Sequence, residues 1–377
     1  MKPAYEIADI IRLHGANFQK RFKPPLQVKK TLKALSICRT KYLGGHMSVC
    51  KSCGVETISY NSCRNRHCPK CQVTNREKWI LDRESELLPV PYYHIVFTLP
   101  HAFNELLPHY DKEIYTALFA ASWLTIQKFA ADPKYLGAKT GMVSILHTWG
   151  QQLWLHPHVH CIVPGGGITP SGKWKSCRYK DKYLFPKRAL STVFRATFMA
   201  ELRKKMIVAQ HISKKVFQTK WVVYAKRPFA SPKTVVEYLG RYTHKIAISN
   251  HRLKKVDQEN VTFTYKDYRQ EGKNKQIKLG GSEFLRRFSS HILPSGFVRI
   301  RHYGFLASRN KNKELNLAKK DLNQPKWQKV KYSWVQIAKE KLNYNPERCH
   351  CCGYETLITT KLIAPERGPP LRQLKNA

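Results

Sequence analysis

The sequence predicts an α+β protein, an antiparallel sheet carrying helices, preceded by a cysteine-rich metal-binding module. Three observations lead there. Short β-branched runs bounded by turn residues alternate with longer stretches at helical spacing. Met142–Thr148 and Leu153–Val163 follow one another across a Trp-Gly-Gln-Gln turn, which pairs them antiparallel. Six cysteines fall between Cys38 and Cys71, four of them as two Cys-x2-Cys pairs. A chain of 377 residues has room for two or three domains with a sizeable core.

Taken in order, Ala4–Lys20 places Ile7, Ile10, Ile11, His14 and Phe18 at helical spacing, and Lys23-Pro-Pro ends that helix. Val28–Cys38 reads as a second helix. After the cysteines, Asn75–Leu88 is a charged helix stopped by Pro89-Val-Pro91, which sets a boundary near residue 90. Tyr93–Leu99 is a strand and Asn104–Ala131 one or two helices. The 142–163 hairpin follows, then a basic loop opened by Gly165-Gly-Gly167. Lys187–His211 is helical, with Leu190, Phe194, Phe198, Leu202 and Met206 on one stripe. Thr219–Ala225 is a strand, Pro232–Tyr242 a helix and Ile246–Ser249 a strand. Val261–Tyr265 and Gln276–Leu279 form a further hairpin. Helices packed on one face of such a sheet give an α+β sandwich. Three regions result: 1–90, N-terminal helices and zinc module; 91–305, the mixed domain; 306–377, a basic C-terminal region with a small cysteine group and a disordered proline-rich tail.

Lys and Arg number 67 against 25 Asp and Glu, a net charge of +42. Such an excess, spread along a chain that is 11% aromatic, is the footprint of a polyanion partner, most often nucleic acid. Nothing resembles a lipid-facing amphipathic anchor, so neither a membrane nor a small-molecule substrate is expected. The longest apolar run, Ala117–Ile126, is ten residues, and the N-terminus lacks a signal-peptide core. A cytosolic protein keeps its cysteines reduced, so clusters mean metal rather than disulfides.

Cys50-x2-Cys53 and Cys68-x2-Cys71 are two knuckles able to place four thiolates around one structural zinc, with Gly54 easing the turn after the first. Cys38, His46, Cys63 and His67 remain. They form either a second, interleaved zinc site or part of the ordinary fold. Arg64, Arg66 and Lys70 flank the second knuckle and are candidates for holding DNA phosphates. Cys349-x2-Cys352 is half a ribbon with no partner pair after it, and a closed zinc there needs ligands from elsewhere.

On the 153–163 strand, His158 and His160 project to the same face about 7 Å apart, with Val159 and Ile162 turned to a core. Two such imidazoles can hold a divalent ion and leave sites for water and a phosphate oxygen. His147, Gln152 and His156 are the candidates for a third ligand. On the 232–242 helix, Tyr238 and Tyr242 are i and i+4, one turn apart on one face, with Arg241 and Lys245 as phosphate-binding charges. The same residues also fit an apolar stripe with Val235 and Leu239. Gly240 between the tyrosines leaves room for a close approach by backbone or DNA.

His158-Val159-His160, Tyr238-x3-Tyr242 and the Cys50–Cys71 knuckles, in this order, resemble the zinc-binding two-tyrosine HUH transposases of rolling-circle bacterial insertion sequences. The strings Ser62–Gln72, His156–Gly167 and Glu237–Asn250 carry the resemblance, which extends from about Cys38 to Tyr303. It implies a ferredoxin-like HUH nuclease fold and metal-dependent nicking and rejoining of single-stranded DNA through 5′-phosphotyrosine. It implies His158 and His160 as ligands of a catalytic Mg²⁺ or Mn²⁺, Tyr238 and Tyr242 as nucleophiles, and a bacterial cytoplasmic, nucleoid-associated protein. Alternative expectations are a plasmid or phage replication initiator or relaxase with the same chemistry, or a non-catalytic zinc-ribbon DNA-binding protein.

Overall fold

The computed structural model describes residues 3–178, 184–205, 210–225, 229, 234–235, 238, 240, 243 and 245–366. Helices α1 (Ile7–Phe22) and α2 (Leu26–Ser36) open the chain. Ile7, Ile10, His14 and Phe18 form the buried stripe of α1, which ends on Lys23 in a left-handed conformation. Strands β1 (Gly45–Cys50) and β2 (Glu56–Tyr60) pair antiparallel, and α3 (Gln72–Glu84) starts from Cys71.

The central sheet comes next. It contains β3 (Tyr92–Thr98), β4 (Gly141–Trp149) and β5 (Leu155–Pro164), with α4 (Leu107–Ala131) between the first two. A short 3₁₀ turn, His101–Glu105, precedes α4, which is kinked at Tyr110, so the predicted 104–131 segment is one turn and one bent helix. Strands β6 (Gly166–Ile168) and β7 (Trp174–Ser176) make a small hairpin. The predicted 187–211 helix is two, α5 (Lys187–Arg203) and α6 (Gln210–Gln218), followed by β8 (Val222–Ala225). Residues 234, 235, 238, 240 and 243 are helical. The predicted strand at 246–249 is irregular backbone leading into β9 (Leu253–Val256). Strands β10 (Asn260–Asp267) and β11 (Lys273–Gly280) form the expected hairpin and pair with β9 in a second sheet. The chain continues through α7 (Gly281–Ser289), β12 (Ile300–Gly304), α8 (Lys311–Asp321), α9 (Trp334–Lys341) and β13 (Leu357–Ile363).

The five-stranded sheet runs β12-β4-β5-β3-β8, antiparallel at every pair. It is covered on both faces rather than one. Val159, Cys161 and Val163 of β5 point into a core with Phe119 of α4 and with Phe194 and Phe198 of α5. Ile162, one residue out of phase, packs with Trp79 and Ile80 of α3, Val235 and Leu315 of α8. Val159 and Ile162 are both buried as expected, but strand alternation sends them into opposite cores.

A third core joins distant segments. Ile7, Ile10 and Phe18 of α1 meet Val261 and Phe263 of β10 and Phe284 and Phe288 of α7. The C-terminal region is more ordered than its composition suggests: β13 pairs antiparallel with β1, from Gly45 opposite Ile363 to Cys50 opposite Leu357. The tail beyond residue 366 lies outside the described residues. Among the described residues, no helix is long and apolar enough to cross a membrane.

Candidate metal centres and nuclease site

Register gathers the histidines. His147 on β4 lies directly opposite His158 on β5, and opposite residues share a face. His160, two residues on, stays on that face, and so does His94 of β3, whose cross-strand partner is Ile162. One ligand nitrogen each from His147, His158 and His160 falls within 4.8 Å of the others. Of the three candidates for the third position, His147 therefore completes the set. His156 sits one step outside, with its ring 5.1 Å from that of His158. The Gln152 amide oxygen instead accepts from the Trp154 indole at 3.1 Å.

Burial disfavours the charged imidazolium, pushing His158 down to about 4 and His160 to about 2, with neighbouring histidines and Lys245 adding to the effect. Both rings are thus neutral near pH 7, the form that ligates a metal. His158 Nδ1 is 2.6 Å from the His156 carbonyl oxygen and His160 Nδ1 is 2.8 Å from His94 Nε2. With both Nδ1 atoms so engaged, an ion at this cluster would be held through the Nε2 atoms. A ligating histidine held through its other ring nitrogen is the usual outer-layer arrangement of metal sites, and the donor set fits a divalent ion with open positions.

Tyr238 is half-buried, and its ring meets that of His94 edge-on at 5.2 Å. The chain of contacts is therefore His160, His94, Tyr238. Tyr242 and Arg241 lie outside the described residues. Gly240 does provide a close approach, but to Ile80 of α3 rather than to DNA: a β-carbon there would stand 2.3 Å from Ile80 Cδ1. The tyrosine helix is thereby seated on the helix that leaves the zinc module.

Beside the histidines opens a cleft of about 950 Å³. One wall is the turn between β4 and β5, with Trp149 and Trp154; the other is β10 and the residues after it, Thr264–Arg269. Arg252 laces the walls together, donating from Nε to the Thr264 carbonyl at 2.7 Å and from a terminal nitrogen to the Gln151 carbonyl. Lys245, Lys266 and Arg269 contribute charge, while Trp154 and Tyr268 present exposed rings. Sequence reasoning placed Lys245 at the site but missed the 264–269 wall and His94. The run Lys266-Asp267-Tyr268-Arg269, which mixes cations with an aromatic at the end of a strand, was the available signal.

The cysteines are sorted differently from the expected single Cys50–Cys53–Cys68–Cys71 site. Cys68 and Cys71 gather with Cys38 and Cys63, the Sγ atoms standing 3.4 Å apart for Cys38–Cys71, 3.6 Å for Cys38–Cys68 and 3.7 Å for Cys63–Cys71. Four thiolates around zinc at about 2.3 Å lie about 3.8 Å from one another, so this set fits a closed structural ion. Cys50 and Cys53 are carried away on the β1–β2 hairpin and face Cys349 and Cys352. None of the eleven cysteines forms a disulfide.

Neither histidine expected in a zinc site joins a cluster among the described residues. His46 is held in β1 opposite Ser59 and Leu362. The His67 ring is enclosed near Arg66, Arg299 and His291, and burial pushes it down to about 3. Of the three phosphate-binding residues expected beside the second knuckle, two are occupied by the protein. Arg66 donates to the carbonyls of Phe297 (2.5 Å) and Pro294 (2.9 Å). Lys70 donates to Glu6 (2.7 Å) and to the Cys38 carbonyl (3.1 Å). They fasten the zinc module to its neighbours; Arg64 remains exposed.

Two family models match the chain: "Transposase zinc-binding domain", of the IS91 type, over residues 10–99, and "Putative transposase" over residues 141–314. A protein of Sinorhizobium fredii (strain NBRC 101917 / NGR234) described as "Putative transposase y4qJ" is 37% identical over 388 aligned positions, 97% of each chain. The transposase for insertion sequence element IS801 of Pseudomonas savastanoi pv. phaseolicola is 27% identical, across 96% of this chain and 92% of its own. No solved structure matches. The Cys38–Cys63–Cys68–Cys71 cluster and the β4–β5 hairpin that bears His147, His158 and His160 each fall inside a matched family model, and with a relative of such identity aligned over nearly its whole length the chain belongs to the IS91-type transposases, enzymes acting on DNA.

Proposed function

We propose that this transposase nicks and rejoins single-stranded DNA at the ends of its insertion sequence, as a two-tyrosine HUH nuclease does. The supporting observation is the line of contact from His160 through His94 to Tyr238, which sets a phenol beside three gathered imidazoles. His147, His158 and His160 hold the divalent ion, Mg²⁺ or Mn²⁺. That ion, when bound, supplies charge stabilisation at the scissile phosphate.

The Tyr238 phenol oxygen attacks phosphorus, the bond to the 3′ oxygen breaks, and that oxygen leaves as a free 3′-OH after gaining the proton the tyrosine gives up. One phosphodiester is exchanged for another, so the 5′-phosphotyrosine link retains the energy needed for rejoining. Tyr242 repeats the reaction on a second strand. The cleft with Lys266, Arg269, Trp154 and Tyr268 suits a single strand, whose phosphates seek cations and whose unpaired bases seek aromatic faces.

Incubation with end-labelled single-stranded terminal DNA and Mn²⁺ is expected to give an SDS-resistant protein–DNA band. The band should vanish with EDTA and in the Tyr238→Phe, Tyr242→Phe double variant. A band that persists in the double variant would exclude the tyrosines as nucleophiles.

A further inference from the structure

We infer that Cys50, Cys53, Cys349 and Cys352 bind a second structural zinc ion, which clasps the C-terminal region onto the N-terminal module. The two pairs are separated by about three hundred residues of sequence, yet Cys50 Sγ lies 3.6 Å from Cys352 Sγ and Cys53 Sγ 3.7 Å from Cys349 Sγ. All four sulfurs fall within 4.8 Å of one another. These spacings match the edges of a four-thiolate zinc tetrahedron, about 3.8 Å.

The two pairs are also the same local structure. Each is Cys-x2-Cys-Gly: Cys50-Lys-Ser-Cys53-Gly54 and Cys349-His-Cys-Cys352-Gly353. Each glycine takes a positive φ, 72° at Gly54 and 80° at Gly353. Each donates its N–H back to the carbonyl of the first cysteine, at 2.9 Å and 3.0 Å. A left-handed residue there folds the chain so that both sulfurs project to one side. The knuckle at Cys68–Cys71 has no such glycine and runs straight into α3.

The surroundings support a metal. The Thr356 hydroxyl is 3.2 Å from Cys50 Sγ, and the Cys351 N–H donates to Cys349 Sγ at 3.4 Å, so outer groups already point at the sulfurs. The strand after the second knuckle, β13, continues directly along β1. Cys50 ends β1 and Leu357 opens β13 opposite it, so the ion sits where the two chain ends meet. The sheet β13-β1-β2 has few buried side chains. An ion supplies the cross-link that so small a core cannot.

Metal content of the full-length chain tests this. The wild type is expected to hold two zinc ions after chelating-resin treatment. Cys349→Ser with Cys352→Ser should hold one, and Cys50→Ser with Cys53→Ser should also hold one. The quadruple variant should still hold one, because both pairs serve the same ion. The remaining ion, on Cys38, Cys63, Cys68 and Cys71, reports that the module has folded. A Cys349→Ser, Cys352→Ser protein with unchanged zinc, or a quadruple variant with none, would overturn the inference.

Should the variants be insoluble, alkylation of the zinc-loaded wild type decides. Cys349 and Cys352 are expected to resist iodoacetamide until a chelator is added, while the exposed Cys351 reacts at once. Equal reaction of all three would refute the site. None of these outcomes depends on DNA cleavage, so the zinc clasp and the nuclease reading stand or fall separately.

Discussion

His94 shows what one residue can contribute without ligating anything. Its Nε2 meets His160 Nδ1 at 2.8 Å and its ring abuts Tyr238, so in the proposed reaction it would orient one metal-binding imidazole and position the attacking phenol together. Losing such an outer partner weakens metal binding roughly 10–100-fold in other sites. His94→Ala is therefore expected to raise the Mn²⁺ concentration giving half-maximal nicking by about that factor, with excess Mn²⁺ restoring much of the rate. His94→Gln should recover part of the affinity. A loss of rate that no Mn²⁺ concentration relieves would assign His94 a purely structural part.

A different buried histidine contributes to the pH dependence of stability. His291 is held between the Thr148 hydroxyl (3.1 Å) and the Leu153 carbonyl (3.1 Å), and burial pushes it down to about 4. Between that value and the unfolded value near 6.5, the unfolded chain binds more protons than the folded one, so stability falls as pH falls through this window. The contribution is on the order of 2–3 kcal/mol. Thermal melting from pH 7 to 4.5 should show Tm falling with acidity, less steeply in His291→Gln. Parallel curves for the two proteins would contradict this account.

Between elements, α3 packs closely on the tyrosine helix. Gly240 leaves space that Ile80 fills, since a β-carbon would stand 2.3 Å from Cδ1 and 2.6 Å from Cγ1. The helix that leaves the zinc module thus touches the Tyr238 helix at Gly240, two residues along from Tyr238. Gly240→Val overpacks this contact, at a cost of about 1–3 kcal/mol. It should slow nicking while leaving binding of terminal DNA, measured by fluorescence anisotropy, within a few-fold of wild type. If binding and nicking fell together, the contact would serve folding in general rather than the placing of Tyr238. At this scale the sequence was legible in part. Helical stripes and strand runs were visible because their periods are local, and 246–249 was misread because four apolar-polar residues carry too little pattern to separate strand from irregular chain.

Across the whole molecule, the charge of +42 is a long-range attraction for DNA, while the cleft at 264–269 concentrates part of it beside the histidines. Each lysine or arginine released from a single strand should lower the slope of log binding constant against log salt by about 0.7. Lys266→Ala with Arg269→Ala is then expected to reduce that slope by about 1.4, measured between 50 and 200 mM salt. An unchanged slope would place the DNA on another face.

The sequence by itself determined the α+β class, the longer helices, the strands at β3, β4, β5 and β10, and the shared face of His158 and His160, because these depend on backbone periodicity and side-chain type. It offered three residues as neighbours of that pair, and strand register brings His147 to it by setting it opposite His158. The pairing of the cysteines was settled only in three dimensions. Spacing along the chain joined Cys50 and Cys53 to Cys68 and Cys71, whereas the β1–β2 hairpin carries the first pair to Cys349 and Cys352, and α2 and α3 carry the second to Cys38 and Cys63. The repeated Cys-x2-Cys-Gly pattern held the clue. Local rules describe how each knuckle bends, but which knuckles meet depends on packing among segments about three hundred residues apart, and no local period encodes that.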